Sequence, residues 1–462
     1  MVFNSLQFLV FFGIVTSAYF LLAHRFRWIL LLAASCYFYM AFQPIYLGIL
    51  GFTIIVDYYA GIYLEKFEGR SKKLFLAASL LANIGVLAFF KYFGFFTGNL
   101  TAVANLFGYS WHFPTLSILL PIGLSFHTFQ AMSYTIEVYR GHQKAERNFG
   151  IYCLYVMFYP QLVAGPIERP QNLIHQFYQE HVWDTARVQA GLFQMLQGLF
   201  KKVVIADRLA ILVDSVYGSL AIQSGPNLIL ASVFYSFQIY CDFSGYSDMA
   251  IGAAKVMGFD LMTNFNAPYT AKSIPDFWRR WHISLSTWFK DYVYFSLGGN
   301  RVSVPRWYLN IMIVFVISGF WHGASWNFVI WGALHGIFQL LGLTISRYIP
   351  ALSPEKASGV YLRLLQVWTF VLVSLAWVFF RIPHFSQIKI YFKRLIYWQE
   401  EAPLGMHFNE VIFCLVLIVG LQIWDKVQPK KLSNFWLMLP IIVLLIYFLG
   451  VFNLKQFIYF QF

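Results

Sequence analysis

Leu309-Asn-Ile-Met-Ile-Val-Phe-Val-Ile-Ser-Gly-Phe-Trp-His-Gly-Ala-Ser-Trp-Asn327 is the stretch on which the fold of this chain turns. Its greasy half, Leu309 to Ile317, reads as the first part of a membrane helix. His322 would then lie about 13 residues in, or ~20 Å at 1.5 Å per residue, near the bilayer midplane. An ionisable ring is costly there unless it faces a cavity or a partner, which makes it a functional-site candidate. The competing reading is a core histidine satisfied by a neighbouring helix. Gly319 and Gly323 flank the ring and would leave room for a ligand or a backbone break.

Composition extends this reading to the whole chain. Of 462 residues, 59% are hydrophobic and 11% charged, against about 25% charged in a soluble chain. Apolar runs of spanning length recur from end to end, so the expected fold is an all-α polytopic membrane protein whose first partner is the lipid bilayer. The 50 Phe and 29 Tyr residues belong at the interfaces or along a wide protein interior. A net charge of +13 does not mark a nucleic-acid binder. The Lys and Arg residues sit at the ends of apolar runs, where the positive-inside rule puts them. Cys36, Cys153, Cys241 and Cys414 are far apart and show neither CxxC nor Cys/His zinc spacing, so they read as packed free thiols. The segment Leu6–Ala23 lacks a basic n-region and an obvious small-residue cleavage site, and is expected to remain as a transmembrane helix.

The expected spans are about Leu6–Ala23, Trp28–Phe42, Leu47–Leu64, Lys73–Phe90 and Leu116–Tyr134, with an external loop over 91–116. A short apolar segment at 150–165 reads as re-entrant or tilted. Two long helices follow, Ala190–Tyr217 and Leu228–Met257, separated by a turn at Gly225-Pro226. The stretch Thr263–Arg306 holds no span and should be cytoplasmic. Further spans are Leu309–His322, Asn327–Ser346, Leu362–Phe380, Phe408–Trp424 and Phe435–Phe452, with a basic amphipathic surface helix at Ile388–Trp398. The total is about 10–12 spans by apolar length, in a single integral membrane domain over 1–462.

Two more stretches carry chemistry. Asp276-Phe-Trp-Arg-Arg-Trp-His-Ile-Ser-Leu-Ser-Thr-Trp288, read as one helix, puts Phe277, Trp281 and Trp288 on one face with Ser284 close by. Arg279, His282 and Ser286 face elsewhere. The stretch reads either as an interfacial anchor or as the cytoplasmic mouth of a pocket in which Arg279 or Arg280 holds a phosphate. Gln238-Ile-Tyr-Cys-Asp-Phe-Ser-Gly-Tyr-Ser-Asp248 lies within an apolar segment. Its Asp242, Ser244, Tyr246, Ser247 and Asp248 should line a cavity or bond between helices, and Gly245 is a candidate break. Pro121–Gln130 and Gln161–Arg169 read as kinks and turns. His335 follows His322 by 13 residues, which at about 100° per residue is another face of a straight helix. No metal site is expected.

These motifs, taken in order, resemble the membrane-bound O-acyltransferase (MBOAT) family, and within it the bacterial branch of the alginate O-acetyltransferase membrane subunit. The resemblance is carried by Pro121–Gln130, Gly165-Pro166, Tyr240–Ala250, Asn264-Phe-Asn-Ala-Pro-Tyr269, Asp276–Trp288, Gly298-Gly-Asn300 and Trp321–Asn327, a core of about residues 120–335. It implies a ring of tilted helices, with re-entrant and interfacial helices, around a central funnel. It implies that His322 matches the family's essential histidine and His282 its second polar position. His127 departs from it, standing where a bulky aromatic residue is expected. The implied activity is acetyl transfer from a cytoplasmic thioester, acetyl-CoA, with no permanently bound cofactor. The implied acceptor is a cell-surface polysaccharide, reached directly or through a periplasmic acetyltransferase-type partner, at the bacterial inner membrane. Donor binding is expected near Arg279, Arg280 and Trp281. The other expected substrate contacts are Ser284, Gln238, Asp242, Ser244, Tyr246, Ser247, Trp321, Trp326 and Asn327. Peptidoglycan and cellulose are alternative acceptors. A glycan or lipid flippase is the alternative class, and it would call for deep charges and repeated halves.

Overall fold

Long apolar runs with few charges have nowhere to place their backbone polar groups except in helices, and that is how this chain folds. The computed structural model describes residues 1–109, 121, 123–162, 165–397, 404–427, 435–452 and 458. Among them there is no strand. The helices are α1 (Leu6–Leu21), α2 (His24–Met40), α3 (Ile45–Lys66), α4 (Gly69–Leu87), α5 (Phe93–Leu106), α6 (Leu124–Arg140) and α7 (Phe149–Met157), then α8 (Pro170–Leu173), α9 (Thr185–Phe200), α10 (Asp207–Gly218) and α11 (Gly225–Met257). They continue with α12 (Ile274–Trp278), α13 (Ile283–Phe289), α14 (Val304–His322), α15 (Trp326–Tyr348), α16 (Gly359–Arg381), α17 (Phe385–Ile396), α18 (Phe408–Val427) and α19 (Phe435–Leu449). Among the described residues, Ile45–Lys66, Gly69–Leu106, Val304–His322, Trp326–Tyr348 and Gly359–Arg381 are long and apolar enough to cross a membrane, and Leu6–Leu21 and Phe435–Leu449 are shorter apolar helices. The chain is an all-helical, multi-pass membrane protein.

Two compact units emerge, Met1–Met195 with Ser247–Met262, and Leu196–Tyr246 with Thr263–Phe462. In the first, α3, α4 and α6 are tied by polar groups that could not face lipid. Ser79 Oγ donates to Asp57 Oδ1 at 2.6 Å, and Asn83 Nδ2 lies 2.9 Å from both Asp57 oxygens. Gly61 lets α3 approach α6, since a Cβ there would meet the Tyr134 ring at 2.7 Å. His127, the departure from the family pattern, is buried in this unit with Nδ1 3.2 Å from the Val156 carbonyl oxygen.

Several expectations change. The loop expected over 91–116 is instead helical as far as Leu106, because a π-turn at Ala88–Tyr92 carries α4 into α5 without a break. The Gly, Asn and Thr residues that suggested a loop sit in that helix; the start expected at Leu116 lies outside the described residues. Gly245 does not break α11, which runs unbroken from Gly225 to Met257. Gly245 is there for close packing instead: a Cβ would meet the Gly198 carbonyl of α9 at 2.7 Å, and Gly252 repeats the contact with Gly191 at 2.5 Å. The surface helix starts earlier than expected, at Phe385, and its expected end at Trp398 lies outside the described residues.

Candidate active site

In the second unit, α14 and α15 form an antiparallel hairpin whose turn is the Trp-His-Gly-Ala-Ser-Trp stretch. Ser325 caps α15 by accepting from the Asn327 N–H. Near the turn the helices meet backbone to backbone, and a Cβ on Gly319 would lie 2.2 Å from the Phe328 carbonyl oxygen. A Cβ on Gly332 would lie 2.2 Å from that of Phe315. The room expected beside Gly319 and Gly323 is therefore filled, at Gly319 by the α15 backbone and at Gly323 by the Phe328 ring.

The hairpin also shifts the place of His322 along its helix. The helix begins at Val304, with Pro305 in its first turn, earlier than the greasy run suggests. His322 is its last residue, ~27 Å from Val304 at 1.5 Å per residue rather than midway. The ring is 4% exposed and packs on Trp321 (4.9 Å), Trp331 (5.0 Å) and Phe380 (5.4 Å). Asn327 is buried, with its amide donating to the Ile382 carbonyl at 2.6 Å. Trp326, expected in the pocket, is 58% exposed at the start of α15.

His282 is built differently. The expected single helix Asp276–Trp288 is broken into α12 and α13 by His282 itself, which adopts φ 42° and ψ 55°. Few non-glycine residues take this left-handed conformation, and histidine is among those that tolerate it. The Asn264 side chain stabilises it: Oδ1 accepts from His282 Nδ1 (3.1 Å), Ser284 Oγ (2.9 Å) and Ser284 N (3.3 Å). His282 is 0% exposed and meets Phe243 edge to face at 4.6 Å. Burial pushes its pKa from 6.5 down to about 3, so the ring is neutral. With the proton on Nδ1, the Nε2 atom is the lone-pair nitrogen.

One body of rings runs between the two histidines. His282 borders Phe265 (6.4 Å), which meets Trp281 (5.1 Å), then Trp377 (5.1 Å), Phe380 (5.2 Å) and His322. Trp281 is a buried member of this body. Arg280 is tied to Asp276 Oδ1 at 3.0 Å, and Arg279, 70% exposed, lies 3.8 Å from the same oxygen. A neutral imidazole walled by aromatic rings can take a proton from a hydroxyl and pass it on, with little water to compete.

Within Gln238–Asp248, Phe243 belongs to the His282 wall, whereas Asp242 and Tyr246 serve a third place. Asp242 Oδ1 lies 2.7 Å from Lys202 Nζ, which is also 2.7 Å from Asp207 Oδ1, all three buried. Asp242 Oδ2 accepts from the Ile458 N–H at 2.7 Å, and the Tyr246 ring lies 5.8 Å from Lys202 Nζ. Ser244 and Ser247 are buried on α11, and Gln238 is half-buried there. Lys202 lies in a π-helical segment, Lys201–Ala206, whose i to i+5 period brings it beside Asp207. Trp331, Trp377 and Phe380 were not singled out from sequence, and Asn264 was named only as part of the Asn264–Tyr269 motif, with no role. His335 proves to share Trp331 with His322, being 5.0 Å from that ring on the neighbouring helix. Among the described residues no group of three His, Cys, Asp or Glu could hold a metal ion.

The family described as "MBOAT, membrane-bound O-acyltransferase family" matches residues 147–382. The chain is 40% identical over 385 residues to "Probable alginate O-acetylase AlgI" of Azotobacter vinelandii, covering 82% of this chain and 75% of the relative. It is 38% identical over 378 residues to "Peptidoglycan O-acetyltransferase" of Helicobacter pylori, covering 76% and 70%. A more distant relative is "Teichoic acid D-alanyltransferase" of Bacillus subtilis, 27% identical over 250 residues, covering 49% and 60%.

Proposed function

The chain belongs to the membrane-bound O-acyltransferase family, and on that premise we propose that it moves an acetyl group from cytoplasmic acetyl-CoA across the bacterial inner membrane, for O-acetylation of an alginate-like polysaccharide. The observation that carries this reading is the pair of buried histidines on one aromatic body. His322 acts as general base. It takes the proton of an acceptor hydroxyl, whose oxygen attacks the thioester carbonyl carbon. The C–S bond breaks and the thiolate leaves with the proton from the imidazolium, so the ring returns neutral. His282 has its proton committed to Asn264, so its Nε2 can only accept a hydrogen bond. That suits positioning, through an amide N–H of the donor's arm, better than polarising the carbonyl. Arg279 and Arg280 offer positive charge to the donor phosphates. The acceptor hydroxyl belongs to a periplasmic partner enzyme that then acetylates the polymer. The peptidoglycan enzyme among the relatives makes that polymer the alternative acceptor.

The test is O-acetyl content of purified surface polymers, by NMR, in cells carrying wild type or His322→Ala. The variant should reach the membrane in normal amount and lose the acetyl groups of one polymer, with a rate drop of about 10²–10⁴-fold. Retained acetylation would remove His322 from the mechanism. Thioester consumption by purified protein separates transfer from transport.

A further inference from the structure

A third imidazole, His335, lies in the same aromatic body and has no part in the reaction above. It is 0% exposed. Its ring is nearly parallel to Phe277 (8°, 6.2 Å) and Phe315 (17°, 6.3 Å). It meets Trp278 and Trp331 edge to face, each at 5.0 Å, and these two indoles touch each other at 5.8 Å. Three mutually touching rings thus carry four nitrogens: Nδ1 and Nε2 of His335 and Nε1 of each indole. Among the described residues, no protein group hydrogen-bonds to any of the four.

Burying polar atoms this way costs free energy that a phenyl ring in the same space would not incur. An indole N–H can rest on a ring face. The lone-pair nitrogen of a neutral imidazole cannot, because the aromatic face is itself negative. That atom needs a donor, while the three N–H groups favour an acceptor. A carbonyl oxygen only accepts; a hydroxyl does both. We propose that Trp278, Trp331 and His335 bind a neutral O–H group, either a water molecule or a hydroxyl of the acyl acceptor. The bound group fixes the Trp331 ring on which His322 packs at 5.0 Å. His335 is then a positioning residue, and this role, unlike the binding itself, rests on the O-acyltransfer reading.

The experiment is a cryo-EM map of the wild-type chain in nanodiscs, first with no donor or acceptor, then with a short serine-containing peptide that stands for the partner enzyme's hydroxyl. An oxygen-sized peak within hydrogen-bond distance of His335 and one indole N–H in the first map supports water. A peak in the second map only supports the acceptor's hydroxyl. No peak in either overturns the proposal. Acetyl transfer gives the second readout. His335→Phe should slow turnover about 10–100-fold with donor KM unchanged. His335→Gln should restore most of it, since an amide both donates and accepts. Full turnover in His335→Phe overturns the positioning role. A rise in donor KM alone would put a donor carbonyl at the site and overturn the O–H assignment. If His335→Phe does not accumulate, His335→Leu takes its place. If the wild type transfers no acetyl group, the O-acyltransfer reading fails while the maps still decide the site.

Discussion

His282 combines a costly backbone conformation with a fully buried ring, and both are sustained by one asparagine. Its φ of 42° would cost about 1–2 kcal/mol in most residues, offset here by the three hydrogen bonds that converge on Asn264 Oδ1. The depressed pKa has a signed consequence. Between pH 6.5 and about 3 the unfolded chain binds a proton at His282 that the folded chain does not. Stability therefore rises with pH through that window and falls as the solution is acidified below 6.5. His282→Asn, which keeps a side chain tolerant of the left-handed region, should flatten this dependence. Thermal unfolding of wild type and variant at pH 5 and pH 7.5 checks it, and equal pH responses would refute it. At this scale the sequence was legible by residue type. His282 and Asn264 each stand in a motif of the family pattern, whereas the bond between them spans 18 residues and no periodicity announces it.

At the scale of elements, hydropathy locates helices well and their breaks poorly. The α12–α13 break rests on a side-chain bond from outside the segment, and the continuity of α11 through Gly245 rests on α9 pressing against it. Neither cause is local. The α14–α15 hairpin turns on the same kind of contact. Gly319→Ala would place a methyl 2.2 Å from a carbonyl oxygen and force the helices apart, at about 1–3 kcal/mol of overpacking. Because His322 and Trp331 sit on opposite arms, acetyl transfer should fall with it. Gly342→Ala, on the same α15, meets nothing within 4 Å and should gain about 0.5–1 kcal/mol in helix propensity with activity intact. Unfolding temperature and turnover of the two variants decide this; similar behaviour would show that the close approach does not matter. Lys202 belongs to this scale too. Lys202→Met leaves two buried carboxylates without their cation and should cost about 3–5 kcal/mol. Adding Asp207→Leu and Asp242→Leu should recover much of that loss. No recovery would mean that the ion triad, and not merely its neutrality, holds the π-segment to α11.

Over the whole molecule, composition alone identified a polytopic membrane protein, because burial in lipid demands long apolar runs whatever the detail. It hid the deep charges, since averaging over a window erases one lysine among apolar residues, and the pairing of Lys202 with Asp242 joins distant parts of the chain. The net charge of +13 has its own consequence. If the donor is acetyl-CoA, as proposed, a chain so basic attracts it before any contact forms, and Arg279, 70% exposed, adds to that field. The attraction is screened by salt, with a Debye length of about 10 Å at 0.1 M and about 3 Å at 1 M. The KM for acetyl-CoA should therefore rise several-fold as ionic strength goes from about 50 to about 500 mM, while kcat changes less. An uncharged acetyl thioester, such as that of N-acetylcysteamine, should show no such rise, and Arg279→Ala should flatten the response to acetyl-CoA. Equal salt responses for the charged and uncharged donors would mean that phosphate charge plays no part in donor capture.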